Sequence, residues 1–379
     1  MSGFELAEFE GRAARLQAGM AAAGLDALLL TCPPDVFYVT GFLTRFWESP
    51  ARPWFVVLPA SGAPIAVIPS IGAELMGKTW LRDIRCWTSP DLRDDGVSLL
   101  ADTLAEVAPG AGRVGIPMGH ETHLRMPLAD FARLKACLTS QFVDATDLVR
   151  RVREVKSEAE IARIRAICGV ADRAFERVGE FAAPGVGLDR VFRDFQVALL
   201  QEGADWVPYL AGGAGAGGYR DVISPATPAP LQIGDVLMLD TGAVRDGYFC
   251  DFDRNFAIGR ADEAGRRAYA TLYEATEAGL AAARPGAVAA DVFHAMHRVI
   301  GQEGAAGRLG HGLGLSLTEW PSLIAQDQTE LREGMVLTLE PGLQIAPGRI
   351  MVHEENIVLR RGGADLLSRR APAELPILG

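Results

Sequence analysis

The sequence predicts a mixed helix and sheet protein in two parts: a smaller α/β domain over residues 1–153 and an α+β domain over 154–379. Two features point to it. Through the first part, short apolar strands alternate with helical segments, the order of an α/β layered structure. In the second part, LQIGDVLMLDTGA at 231–243 returns one hundred positions later as LREGMVLTLEPGL at 331–343, so that part contains two related halves.

Residues 4–23 carry apolar side chains at helical spacing (Phe4, Leu6, Phe9, Leu16, Met20) and stop at Gly24, which predicts a helix. DALLLT (26–31) follows as a buried strand. WFVVLPA (54–60), PIAVIPS (64–70), RVGIP (113–117) and QFVDAT (141–146) read as further strands, with helical segments near 98–108 and 124–138. GFLTRFWESPARPWF (41–55) is an aromatic loop with Arg45 and Arg52, and it reads equally as binding surface or as packing. The second domain opens at VKSEAEIARIRAI (155–167), where Ser157 and Glu160 have capping-box spacing ahead of an Ile161, Ile164, Ile167 stripe. A second helix runs from about Asp189 to Gln201. DWVPYLAGGAGAGGYRD (205–221) reads as a glycine-rich loop lying close to a site; it lacks the spacing of a phosphate cradle. After the first repeat copy, DGYFCDFDRNFAIG (246–259) is the return strand of a hairpin. Helices near 262–283 and 288–303 follow, and GRIMVHEENIVLR (348–360) is the return strand of the second copy.

Composition limits the partners. A chain of 379 residues with 49% hydrophobic content buries a large core. Its net charge of -11, from 37 basic and 48 acidic residues, disfavours nucleic acid and anionic membrane surfaces and leaves a small molecule or short peptide as the expected partner. The amino terminus has no basic segment ahead of an apolar core, so a soluble cytoplasmic protein is expected. The five cysteines lack paired spacing, which argues against a disulfide framework or a thiolate metal site.

The repeat delivers chemistry. Each copy places an acid, Asp240 or Glu340, at the end of an apolar strand just ahead of a glycine, and an unpartnered carboxylate in such surroundings costs several kcal/mol. A cation resolves that cost. The hairpins supply Asp240, Asp251, Asp253, Glu340, Glu354 and Glu355, and GHGLG (310–314) supplies His311. This exceeds what one divalent ion needs, whereas two ions can share bridging carboxylates. The chemistry then expected is hydrolytic, with a metal-activated water attacking a polarised carbonyl and Glu340 moving the proton to the leaving nitrogen.

In order, Asp240-Thr-Gly-Ala, Gly-Tyr-Phe-Cys-Asp251, Gly-His311-Gly-Leu-Gly, Leu-Glu340-Pro-Gly and Glu354-Glu-Asn-Ile-Val resemble the five-ligand pattern of the creatinase, aminopeptidase P and prolidase family, the pita-bread metallopeptidases. The likeness spans the whole chain, including VFYVTGF (36–42) and VKSEAEIARIR. It implies a pita-bread catalytic domain with an internal pseudo-two-fold repeat behind a creatinase-type amino-terminal domain. It implies that Asp240 and Asp251 hold one metal, that His311 and Glu354 complete the other, and that Asp251 and Glu354 bridge. Glu340 would bind metal and shuttle the proton, with His311 as the other catalytic residue. The family's usual ions are manganese, cobalt, zinc or iron, and the oxygen-rich set leans to manganese. A homodimer is also implied, in which the Arg45 loop closes the site of the other subunit.

Departures from the family fall on substrate recognition. Thr318 stands where the peptidases have a second His, Ile223 where they have a His upstream of the first aspartate, and Val352 where they have an Arg. His353 is a substitute for a lost His only if its side chain turns towards Glu354, against strand alternation. Asp253 stands at a usual Thr and reads as an outer-shell or surface acid, or as a substrate-amine partner. Trp206, Tyr209 and Trp320 are pocket-lining candidates that could equally be core. The leading readings are an Xaa-Pro peptidase and a creatinase-like or ectoine-hydrolase-like enzyme acting on a small amide or osmolyte. An eliminating lyase and a metal-free binding module rank behind them.

Overall fold

A helix closed by a left-handed glycine begins the described chain: α1 (Leu6–Ala23) ends at Gly24 with φ +64. The computed structural model describes residues 3–48, 52–301 and 307–379, and the chain divides into two units, Met1–Arg153 and Glu154–Gly379. In the first unit follow β1 (Ala27–Leu30), α2 (Pro33–Thr40), β2 (Phe55–Pro59), β3 (Ile65–Pro69), α3 (Ala73–Met76), β4 (Ile84–Trp87), α4 (Val97–Val107), β5 (Arg113–Ile116), α5 (Leu128–Cys137), β6 (Gln141–Asp144) and α6 (Thr146–Arg153). The six strands form one sheet in the order β4-β3-β2-β1-β5-β6. Leu29, Phe55, Val57 and Val67 pack under Leu100, Leu104 and Leu134 of the helices, an apolar layer that the continuous hydrophobic runs dictate. Strand β4 and helix α6 are absent from the sequence expectation. In the aromatic loop, the Phe42, Trp47 and Trp54 rings stand 5.2–5.6 Å apart, so these aromatics pack on one another. Arg45 is exposed on a short 3-10 turn, and residues 49–51 of that loop lie outside the described residues.

The second unit opens with α7 (Glu158–Glu176), whose capping box joins Ser157 and Glu160 reciprocally. Then come α8 (Leu188–Glu202), β7 (Trp206–Ala216), β8 (Asp235–Arg245), β9 (Tyr248–Phe249), β10 (Phe252–Ile258), α9 (Glu263–Ala282) and α10 (Ala289–Ile300). Residues 302 and 303 of the helix predicted to 303 lie outside the described residues. The chain continues through β11 (His311–Gly312), β12 (Glu319–Ser322), β13 (Val336–Leu339), β14 (Gly342–Ala346), β15 (Arg349–Val352), β16 (Glu355–Arg360), β17 (Gly363–Leu366) and β18 (Ile377–Leu378). Two five-stranded sheets result, β18-β10-β8-β7 with β9 on β8, and β12-β11-β13-β16-β17; β14 and β15 pair separately. Leu272, Val292, Phe293 and Met296 of α9 and α10 share one core with Met238 of the first sheet and Leu337, Leu339 and Ile357 of the second. Among the described residues, no helix is long and apolar enough to cross a membrane.

The repeat is present at its turns, where Gly234 and Gly334 take φ of +98 and +87. Three expectations need correction. The glycine-rich stretch is the edge strand β7, paired with β8 from Ala216↔Asp235 to Leu210↔Thr241. Its glycines serve close approach: a Cβ on Gly212, at φ +145, would lie 2.1 Å from the Met238 carbonyl oxygen. Asp240 sits within β8 and not at a strand end, whereas Glu340 directly follows β13. The last return segment is also broken at His353–Glu354, because β15 pairs with β14 and β16 with β13.

Candidate metal centre

Four acids and one imidazole sit where the repeat halves meet. Asp240 is buried in β8; its Oδ2 accepts the Tyr209 hydroxyl at 3.0 Å, and its Oδ1 has no hydrogen-bond partner. Register explains the first contact, since Tyr209 faces Gly242 and Ala211 faces Asp240 across β7 and β8. Asp251 occupies the break between β9 and β10. His311 begins β11, with its Nε2 3.3 Å from Asp251 Oδ2. Its Nδ1 lies 2.8 Å from the Gly312 carbonyl oxygen, which can only accept, so Nδ1 carries the proton and the Nε2 lone pair is free for a ligand. Glu354 is buried in the break between β15 and β16, and its Oε1 has no partner. One donor atom from each of Asp251, His311 and Glu354 lies within 4.8 Å of the others.

The electrostatics follow from crowding. Burial, reinforced by Asp251, pushes the Asp240 carboxyl up to about 8. Burial and then Glu340 push Asp251 well above the usual range, and burial and then Asp251 do the same to Glu354. Burial also raises Glu340, with His311 partly opposing it. Burial lowers His311, which is therefore neutral at pH 7. Four carboxyls that raise one another, two of them with orphaned buried oxygens, are a set that a divalent cation satisfies: its charge reverses the repulsion and its open valences take the orphaned oxygens. The residues present fit a metal.

The neighbouring acids are employed otherwise. Burial pushes Glu355 up, but Arg254, His353, Ser368 and the Ala371 N–H more than offset it. Arg254 pairs with its Oε2 at 3.0 Å and Arg370 with its Oε1 at 3.2 Å. Of the two consecutive glutamates, one is held ionised by arginines and the other is left to the centre. Asp253 is 1% exposed, which removes the surface reading.

The structure also locates the remaining sequence candidates. His353 is fully buried beside Asp253 and Glu355, with Arg370 donating to its Nε2 at 2.8 Å, and burial lowers it to about 3. It faces this arginine cluster. Trp320 is half-buried and its indole N–H donates to Thr329. Trp206, half-buried, begins β7 opposite Val244. Thr318 is half-buried in the loop after His311. That loop lies against the first half: the Phe249 N–H donates to the Gly314 carbonyl, and a Cβ on Gly242 would strike Leu317 at 2.2 Å. Arg45 belongs to the first unit. Two residues the sequence did not flag touch the ligands: Thr338, which accepts the His311 N–H, and Asn356, which bonds the Asp251 main chain. A polar side chain in an apolar strand was their only sequence signal.

Comparison with known proteins agrees with the fold. Metallopeptidase family M24 matches residues 162–361, and the creatinase/prolidase N-terminal domain matches 12–155. The chain belongs to metallopeptidase family M24. It is 31% identical to the probable dipeptidase PepE of Mycobacterium tuberculosis, over 99% of this chain and 98% of that protein. It is 26% identical to the Xaa-Pro dipeptidase of Pyrococcus horikoshii, over 91% and 93%. The dipeptidase PepE structure from Mycobacterium ulcerans superposes with a TM-score of 0.85 at 30% identity, over 99% of each chain. The Xaa-Pro dipeptidase of Bacillus anthracis shares the fold, with a TM-score of 0.83 at 23% identity over 98% of this chain and 100% of that one.

Proposed function

We propose that this chain hydrolyses short peptides, with Xaa-Pro dipeptides as the substrate class, at a centre of two divalent ions held by Asp240, Asp251, His311, Glu340 and Glu354. The convergence of Asp251, His311 and Glu354 from both repeat halves carries the reading, with Asp240 Oδ1 and Glu354 Oε1 buried and unpartnered. The names of the dipeptidase relatives support the substrate class. When bound, the ions supply a nucleophile at neutral pH and polarise the scissile carbonyl. Manganese suits a set with a single imidazole, and a homodimer is part of the proposal.

The chain's own groups do the rest. Asp251 and Glu354, whose buried charges repel each other, would both hold metal and be relieved by it. Glu340 alone among the five is only half-buried, so it can reach the reacting water, take its proton and return it to the leaving nitrogen. The Tyr209 hydroxyl, which burial and Asp240 keep protonated, donates to Asp240 and steadies it. His311 offers Nε2 because Gly312 holds the Nδ1 proton.

One observation favours a second reading. Ile223 is 80% exposed, Thr318 is uncharged, and the Val352 N–H is taken by the Tyr219 hydroxyl at 2.7 Å, so none of these positions offers a cation to a peptide's terminal carboxylate. A creatinase-like or ectoine-hydrolase-like enzyme for a small amide fits that gap. Manganese-loaded protein offered Xaa-Pro dipeptides and tripeptides beside creatine and ectoine separates the two. Prolyl cleavage supports the first reading, and its complete absence excludes it.

A further inference from the structure

Thr338 and Asn356 face each other across β13 and β16, and both are fully buried. Neither carries a ligand atom. Each reaches out of its strand to the main chain of a different ligand residue. Thr338 Oγ1 accepts the His311 N–H at 3.1 Å. Asn356 Oδ1 accepts the Asp251 N–H at 3.0 Å, while its Nδ2 donates to the Asp251 carbonyl. At the break between β9 and β10, one side-chain amide thus replaces the strand partner that Asp251 lacks. An amide alone has both the donor and the acceptor this needs; a carboxylate accepts only, and a leucine does neither.

Asn356 is itself held from several sides. Its N–H donates to Ser368 Oγ at 3.0 Å, its carbonyl accepts the Leu367 N–H at 2.8 Å, and Cys168 Sγ donates to its Oδ1 at 3.4 Å. A buried network of this kind fixes a geometry, because displacement strands polar atoms in a dry interior. Asp251, which Asn356 anchors, and His311, which Thr338 anchors, are the pair whose Oδ2 and Nε2 stand 3.3 Å apart, one from each half of the repeat.

We propose that Thr338 and Asn356 are positioning residues that together set the separation of the Asp251 and His311 ligand atoms, so that the cross-strand pair gauges the metal centre. This rests on the metal reading above. It makes divalent affinity depend on two residues that touch no metal. Losing such support lowers metal affinity about 10- to 100-fold.

The test titrates manganese alone into metal-stripped wild type, Thr338→Ser, Thr338→Val, Asn356→Asp and Asn356→Leu by calorimetry. Thermal unfolding of each metal-free variant and the visible spectrum of its cobalt-loaded form are recorded alongside. Thr338→Ser keeps the acceptor and is expected to bind as wild type does. Thr338→Val and Asn356→Leu are expected to lose about tenfold or more in affinity with an altered cobalt spectrum, and Asn356→Asp is expected to fall with them. Should Asn356→Leu fail to fold, Thr338→Val decides, since it keeps the side chain's shape. Wild-type affinity and an unchanged spectrum in folded Thr338→Val and Asn356→Asp would overturn the positioning role alone. Wild type that binds no manganese would instead sink the metal reading beneath it.

Discussion

Tyr209→Phe removes one oxygen and leaves the ring. That oxygen donates the hydrogen bond at 3.0 Å to Asp240 Oδ2, and Asp240 Oδ1 already lacks a partner, so the variant removes the side-chain donor to this carboxylate. A hydrogen bond to a charged group contributes about 1.5–3 kcal/mol, which is roughly 10- to 150-fold in an equilibrium constant. The bond favours the ionised acid, against the burial and Asp251 that push it up to about 8. Without the bond the carboxyl rises further, and a metal must displace its proton more often. Calorimetric titration of manganese into the metal-stripped variant should therefore show weaker binding than wild type, with a larger deficit near pH 6.5 than near pH 8.5. Equal affinity at the lower pH would refute the role of Tyr209 in holding Asp240 ionised.

Other outcomes follow from the same contacts. Asp240, Asp251, Glu340 and Glu354 all have raised folded-state pKa values, so the metal-free protein holds more protons than the unfolded chain. The resulting stability is complete below their unfolded values near pH 4 and is lost as pH rises through the folded ones, about 8 for Asp240. Thermal scans should thus show metal-stripped protein losing stability from about pH 5 to about pH 8, and manganese-loaded protein not. Lys156→Met removes the ammonium 3.0 Å from the Glu319 carboxylate and should cost about 3–5 kcal/mol in urea unfolding; a change near zero would remove the ion pair's role under the Thr318 loop. Gly212→Ala places a Cβ 2.1 Å from the Met238 carbonyl oxygen at φ +145, and should cost about 2 kcal/mol or more. A neutral result would contradict the close pairing of β7.

The sequence displayed the repeat because each copy needs the same things: a glycine at positive φ, then a strand whose side chains are buried, as Val236, Leu237, Leu239 and Val336, Leu337, Leu339 are. The acids of the candidate centre stood out for a related reason, since carboxylates on such strands demand a partner. Strand β7 was not, because Gly212, Gly213 and Gly215 have no side chains to alternate and the strand is held by pairing with β8. The break at His353–Glu354 was hidden because no glycine or proline marks it: the chain passes from β15 to β16, in different sheets, without a turn signal. That passage also fixes what His353 and Glu355 face. Thr338 and Asn356 escaped notice because a lone polar residue in a strand does not show which main chain it will bond, and the Asn356 partner lies 105 residues away.

Metal content per chain tests the central claim most directly. Elemental analysis of protein equilibrated with manganese and freed of excess ion should find close to two ions per chain in wild type, with binding and activity both lost in Asp240→Ala. Full activity in a metal-stripped sample, or wild type retaining no ion, would contradict it.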